Sequence, residues 1–394
     1  VAADEIRERD VGESFSTTRF ADVAAQGRAD ASRRGLVVTV LPPREGFSPE
    51  AVGAIGLLVH RLGAPDDVVV GQATRSLTFS GRRFVPAASA LWPPLGRVER
   101  YMAGVARTVR RLRPDVIEVH NRANLAWRLA DAVPSARVVL FVHNDPQGMR
   151  MARRPADRAA LLRRMEVVCV SRFLYERFME GLEPRGRLPL VLPNTVDLSE
   201  VPAPLPAQAR DRTILFVGRV VANKGTDAFV QACAEALPRL PGWRGVIIGA
   251  DRFCVDGPKT AFERGLAPRA RAAGVALLGY LPNREVLAAM SRAAIVAVPS
   301  RWAEPFGLTA LEAMATGAAL VCGARGGLPE VAGEAAVYAD PDEPGALSAA
   351  FVRLAGDVGL RARLGEAGMA RARMFDAADA RRRLGELRAR LLSH

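Results

Sequence analysis

Lysine is nearly missing from this chain. Of its 55 basic residues only Lys224 and Lys259 are lysine, so chemistry built on a lysine Schiff base has two candidates at most, and a lysine inside a motif is not background composition. Cysteine is scarce as well. Cys169, Cys233, Cys254 and Cys322 are widely spaced among mostly apolar neighbours, which excludes a metal cluster or disulfide frame and points to buried free thiols. Aromatic residues make up 6% of the chain, and its arginine-rich segments carry no interleaved rings on which bases could stack. Without a finger-like or RRM-like motif either, nucleic acid is excluded as a partner. Nowhere do 18 uncharged apolar residues run together, and no stretch resembles a secretory h-region, so a soluble, cytoplasmic protein is expected.

What is present is a large apolar interior and a strong positive charge. The 394 residues exceed the size at which single cores stop growing, and 49% of them are hydrophobic, which predicts two domains. Strands alternate with helices throughout, so the class is α/β with parallel sheets. Residues 1–34 are polar and aperiodic and read as a flexible N-terminal extension. The proline-rich stretch SEVPAPLPAQAR, within 198–211, reads as a linker between a domain over 35–200 and a second over 201–375. A helix over 376–394 follows and is expected to pack back on the first domain.

The net charge is +13. Arg97, Arg100, Arg107, Arg110, Arg111 and Arg113 fall on one predicted helix, and Arg150, Arg153, Arg154, Arg158, Arg163 and Arg164 form a second group. Such clusters suit an anionic membrane surface or a phosphorylated lipid as well as they suit a solvated face, so peripheral attachment at the inner face of a membrane is one expectation.

Chemistry concentrates in two segments. In VPSRWAEPFGLTALEAMATG, from Val298, a buried strand ends, a loop carries Glu304, and a helix is predicted to begin near Phe306 with Glu312 inside it. Free amides around Phe306, Gly307, Leu308 and Thr309, with the helix dipole behind them, favour a bound anion. In TILFVGRVVANKGTDAFVQA, from Thr213, a strand, a loop and an amphipathic helix follow one another. Arg219 and Lys224, between Gly218 and Gly225, would emerge at the carboxyl end of a parallel strand, where open α/β sheets bind ligands. Two cations there suit a diphosphate.

Two glutamates separated by seven residues across a helix start, downstream of this arginine and lysine, resemble the signature of the retaining family 4 glycosyltransferases, enzymes of the GT-B fold. The resemblance covers most of the chain after residue 35. It implies two Rossmann-like domains facing across a cleft and a nucleotide-diphosphate sugar donor of UDP or GDP type. It implies that Glu304 holds donor hydroxyls, Glu312 the ribose, and Arg219 and Lys224 the diphosphate. His143, in FVHNDP, matches the family's active-site histidine on the amino domain, with His120 as the alternative. The loop after the first predicted strand, LPPREGFSPEAVG, places Gly46 and Gly53 near the donor phosphates; the family's frequent glycine pair is replaced by Glu45–Gly46. Tyr280 and Leu281 are expected beside the nucleotide base, and Asn194 and Asp197 in the turn leading to the linker.

The resemblance further implies transfer with retention to a glycan, lipid or small-molecule acceptor; Arg219, Lys224 and the helix amides could neutralise the diphosphate without a divalent ion, so no metal and no cofactor are expected. Asp340 and Asp342 imitate a metal-binding pair, but turn and helix-start chemistry before Pro344 explains them more simply. A nucleotide-sugar epimerase of the same fold and a non-catalytic nucleotide-sugar-binding scaffold remain as alternatives.

Overall fold

The computed structural model describes residues 35–74, 76–87, 96–251 and 259–393. The extension expected over 1–34 and the thiol of Cys254 lie outside the described residues. Fifteen short strands are described. Seven of them build the first sheet: β1 (Val37–Val40), β4 (Val68–Gly71), β5 (Arg83–Pro86), β6 (Val116–His120), β7 (Arg137–Val142), β8 (Glu166–Cys169) and β9 (Leu190–Val191). Their order is β5-β4-β1-β6-β7-β8-β9, parallel throughout. The strands are runs of valine, isoleucine and leucine because helices cover both faces, so no alternation with polar residues is needed. A small antiparallel hairpin, β2 (Phe47–Ser48) with β3 (Ala51–Val52), interrupts the path from β1 to its first helix, Ala54–Leu62.

The second sheet has six parallel strands in the order β12-β11-β10-β13-β14-β15. They are β10 (Asp211–Val217), β11 (Arg244–Ile248), β12 (Val275–Leu277), β13 (Ala293–Val298), β14 (Ala319–Cys322) and β15 (Ala336–Tyr338). Ile214, Phe216, Phe229, Ile295, Val321 and Phe351 share one layer of its core. The three described cysteines, Cys169, Cys233 and Cys322, are buried free thiols inside this packing.

Two passages of chain join the halves, and they are hydrogen-bonded to each other. The Val196 amide donates to the Phe375 carbonyl at 3.1 Å, and the Ala377 amide donates to the Val196 carbonyl at 2.9 Å. Past this point the helix Ala377–Leu392 returns to the first sheet, where Ala380, Leu384 and Leu387 pack with Val37, Leu58, Leu62, Val116 and Val139. Arg388 from this helix reaches Glu118 at 2.7 and 2.8 Å and Asp67 at 2.9 Å, all three buried.

Candidate active site

The central strands of the second sheet, β10 and β13, are neighbours, with Phe216 opposite Ala297, so the loops leaving their carboxyl ends lie side by side. This brings Lys224 and Glu304 together across 80 residues: the ammonium donates to both carboxylate oxygens, at 2.6 and 2.9 Å. The Glu304 side chain is 8% exposed and that of Lys224 27%. The Glu304 backbone is fixed separately. Its carbonyl accepts from the Gly327 amide at 2.7 Å, and Gly326, at φ 64°, lies so close that an added Cβ would sit 2.3 Å from that carbonyl oxygen. Only glycine meets both conditions. Arg219 turns to Asp251, donating to its carboxylate at 2.5 Å and its carbonyl at 3.2 Å.

The helix after Glu304 runs Leu308–Ala315, beginning two residues later than the sequence suggested, because Gly307 takes the left-handed conformation at φ 105° and serves as its N-cap. Phe306 turns its ring into the core against Phe375, centroids 5.5 Å apart. Ala310 and Leu311 bond back to the Gly307 carbonyl, which leaves Leu308 and Thr309 as the leading amides. Glu312 is buried one turn further in and accepts from Asn283 Nδ2 at 2.9 Å. Burial raises its carboxyl pKa; the Arg61 charge and the Asn283 hydrogen bond pull the other way, and Glu200 adds to the rise. Arg61 belongs to the amino half. It donates to Asn283 Oδ1 at 2.9 Å and to Glu200 Oε2 at 2.8 Å, so a polar chain crosses between the domains to reach Glu312.

A cavity between the halves is lined by Gly53, Gly218, Arg219, Tyr280, Leu281, Leu308, Thr309 and Glu312. The Tyr280 hydroxyl approaches the Val52 carbonyl of the β2–β3 hairpin at 3.5 Å. On the amino side the sequence reading missed a residue. Glu45 folds back so that its carboxylate accepts from the Gly56 amide at 2.8 Å and lies against Gly53 at the start of helix Ala54–Leu62; burial raises its pKa against the opposing pull of the Gly56 and Gly53 amides. The helix start that the resemblance assigned to donor phosphates already holds a carboxylate. Gly46 sits beneath the same helix, its carbonyl facing Gly56. The departure from a glycine pair was the available signal.

His143 and His120 are not alternatives but partners. His120 ends β6, opposite Phe141 of β7, so His143 projects two residues beyond, and His120 Nδ1 meets His143 Nε2 at 2.8 Å. Asn121, at φ 58°, accepts from the amides of His143 and Asn144 at 3.3 and 3.1 Å and fixes the loop. On the adjacent strand end the Ser171 hydroxyl donates to the Pro305 carbonyl at 2.5 Å. Glu330 accepts from the Arg172 and Phe173 amides, so the histidine end of the first sheet faces the Glu304 loop of the second.

Three expectations need correction or refinement. Arg158 does not join a surface cluster; it is buried and donates to the carbonyls of Phe178, Ala152, Arg153 and Glu180. Arg150, Arg153, Arg154, Arg163 and Arg164 are exposed, as are Arg97, Arg107, Arg110, Arg111 and Arg113, whereas Arg100 is half-buried. Asp340 and Asp342 both pair with Arg325, at 2.8 and 2.7 Å, and Asp342 also with Arg301. In the linker turn, Asp197 accepts from the Ser199 amide at 3.1 Å. Among the described residues no helix is long and apolar enough to cross a membrane.

Two parallel α/β domains with their strand ends turned toward each other define the GT-B fold. Solved structures agree: sucrose-phosphate synthase from Thermosynechococcus elongatus superposes with TM-score 0.74 at 18% identity, covering 91% of this chain and 100% of that one. Anabaena HepE in complex with UDP-glucose superposes at 0.71 and 18%, covering 90% and 99%. Residues 31–200 match the family model Glycosyltransferase Family 4, and residues 199–371 match Glycosyl transferases group 1. The chain belongs to the GT4-type glycosyltransferases. Among curated proteins, D-inositol 3-phosphate glycosyltransferase of Corynebacterium efficiens is 34% identical over 172 residues, 42% of this chain. The matched stretch spans 39% of that relative's length.

Proposed function

We propose that this protein transfers a sugar from a nucleotide-diphosphate sugar of UDP or GDP type to a hydroxyl of a glycan, lipid or small-molecule acceptor, with retention and without a metal. The observation that carries the reading is the Lys224–Glu304 contact at the strand ends facing the histidine loop. In this reading Glu304 accepts from hydroxyls of the donor sugar. Lys224, Arg219 and the amides of Leu308 and Thr309 hold the diphosphate. Glu312 takes the ribose, Tyr280 and Leu281 the base, and His143 the sugar from the opposite side. Gly218 leaves room for the phosphates, Gly53 lines the cleft while seating the Glu45 carboxylate, and Gly307 sets the angle of the helix start. Gly46 and Phe306 act from beneath.

A retaining glycosidase places an acid and a nucleophile carboxyl roughly 5–5.5 Å apart around one bond. Glu304 is engaged by an ammonium and Glu312 by an amide on a different element, so both act as holding groups. The bond from the anomeric carbon to the phosphate oxygen breaks, the acceptor oxygen bonds to the same face, and its proton passes to the departing diphosphate, whose growing charge Lys224 and Arg219 stabilise. Family membership favours this reading over the epimerase and scaffold alternatives. The exposed arginines of Arg97–Leu112 and its neighbours support an anionic surface as the place of action, on the cytoplasmic side of a membrane.

The test is a thermal-shift and turnover panel of UDP-, GDP- and ADP-sugars, beginning with UDP-glucose. A donor at about 100 times its dissociation constant should stabilise the fold by roughly 2.7 kcal/mol. Absence of stabilisation and of sugar release with every member would overturn the proposal.

A further inference from the structure

The histidine pair contains more information than its contact distance. His120 Nδ1 and His143 Nε2 lie 2.8 Å apart, a distance that requires one proton between them. The remaining nitrogen of His120, Nε2, is sealed from solvent without a hydrogen-bond partner among the described residues. Burial, with the Arg388 charge nearby, pushes His120 down to about 3, and burial beside His120 holds His143 well below the usual histidine range. Both rings are therefore neutral near pH 7, and each carries one proton.

Two arrangements satisfy the contact. If His143 donated from Nε2, His120 would have to carry its own proton on Nε2, as a buried N–H with nothing to receive it. A buried N–H without an acceptor forfeits its hydrogen bond at a cost of about 1–3 kcal/mol. If His120 donates from Nδ1, its Nε2 is a bare lone pair, a form that the nearby Arg388 cation also favours. His143 Nε2 then accepts, and the His143 proton must reside on Nδ1. Phe141 stacks on the His120 ring at 4.6 Å and 9°, and the two histidine rings lie 24° apart, so the donor is held in plane.

We propose that His120 is a positioning residue that locks His143 in the Nδ1–H tautomer, so that His143 offers a hydrogen-bond donor instead of a lone pair to a ligand in the cleft. The ligand-facing half of this statement rests on the sugar-transfer reading above. A sugar hydroxyl or ring oxygen can accept from that N–H without any proton transfer, which fits a histidine too weakly basic to act as an acid near neutral pH.

The test uses the full chain labelled with ¹⁵N-histidine. There are four histidines, His60, His120, His143 and His394, so long-range ¹⁵N–¹H spectra can be assigned by single substitutions. The parent should show a pyrrole-type Nδ1 and a pyridine-type Nε2 at His143 without any donor present. His120→Phe should leave His143 with both tautomers, whereas His120→Asn, whose amide can replace the Nδ1 donor, should restore the single form. A parent proton on His143 Nε2, or an unchanged tautomer in His120→Phe, overturns the lock. If His120→Phe does not fold, the parent and His120→Asn spectra still decide. Turnover of whichever of UDP-glucose or GDP-mannose stabilises the parent should fall about three- to tenfold in His120→Phe, the scale of one neutral hydrogen bond, and recover in His120→Asn. Lost tautomer with undiminished turnover overturns the ligand-facing half alone. Because the spectra need no donor, a failed sugar panel and a failed tautomer assignment are distinguishable.

Discussion

Lys224–Glu304 and Arg388–Glu118–Asp67 are built from the same chemistry, a cation within 3 Å of carboxylate oxygen, and stand in opposite surroundings. The first stands on loops beyond the ends of β10 and β13, its lysine 27% exposed. The second lies under a helix with side chains 11%, 3% and 6% exposed. A lysine is a compact charge on a flexible stem and can change partners, whereas the planar fork of arginine holds two oxygens of Glu118 at once. The chain places one of its two lysines at the open pair and one of its many arginines at the closed one. Location relative to the strand ends, not the ion pair itself, separates the candidate site from a strut.

The largest effect is expected at the closed cluster. Arg388→Met strands two buried carboxylates and should cost about 3–5 kcal/mol of stability, read by urea unfolding, while the fraction that remains folded keeps its donor affinity. Donor binding lost at unchanged stability would erase the contrast.

Lys224→Ala is the converse. Turnover should fall by about a hundredfold or more, since in the proposed reaction the ammonium gains most as the diphosphate departs. Stability should fall by only about 1.5–3 kcal/mol, the scale of a hydrogen bond to a charged group. A folded variant that turns over at the parent rate would remove the leaving-group assignment.

Glu312 sharpens the comparison, being a buried carboxylate that lines the cavity between the halves. Glu312→Ala should weaken nucleotide-diphosphate binding roughly ten- to a hundredfold, measured by calorimetry. Its raised pKa has a further consequence. The folded state binds this proton more tightly than the unfolded chain, so stability falls as pH rises from the unfolded value of 4.5 through the folded one. Glu312→Gln should therefore melt higher than the parent at neutral pH, an advantage that disappears below pH 4.5, where the parent is protonated in both states. A constant difference across pH would mean that burial does not raise the Glu312 pKa.

The smallest effect concerns the exposed arginines. Reversing Arg107, Arg110 and Arg111 should reduce binding to vesicles rich in anionic lipid, by about 1 kcal/mol per charge, and added salt should do the same to the parent. Equal binding by both would leave these residues as a solvated face.

The sequence carried the fold well where physics is local. Apolar runs such as Ile214–Val217 and Ala293–Val298 have only one low-cost environment, and the strands appear there. It carried the identities at the site less completely, because partnership is set by which strands become neighbours. Asp251 as the partner of Arg219, and Asn283 and Arg61 beside Glu312, depend on sheet order and domain contact that no spacing encodes. Glu45 was visible as a departure from pattern, yet its role emerged only once the β2–β3 hairpin brought it back to Gly56. Arg158 shows the reverse error: an arginine in a charged run was read as surface, while four backbone carbonyls accept from it in the interior.

The returning helix imposes an order on biosynthesis. The first sheet is complete in sequence by Val191, but the cluster on one of its faces, begun by Leu58 and Leu62, is completed only when Ala380, Leu384 and Leu387 arrive, and Glu118 and Asp67 wait for Arg388. The second sheet closes its core from contiguous chain. On a ribosome emitting roughly 5–20 residues per second, the domain made first therefore spends on the order of ten seconds or more with one apolar face only partly covered, while the domain made second can finish ahead of it.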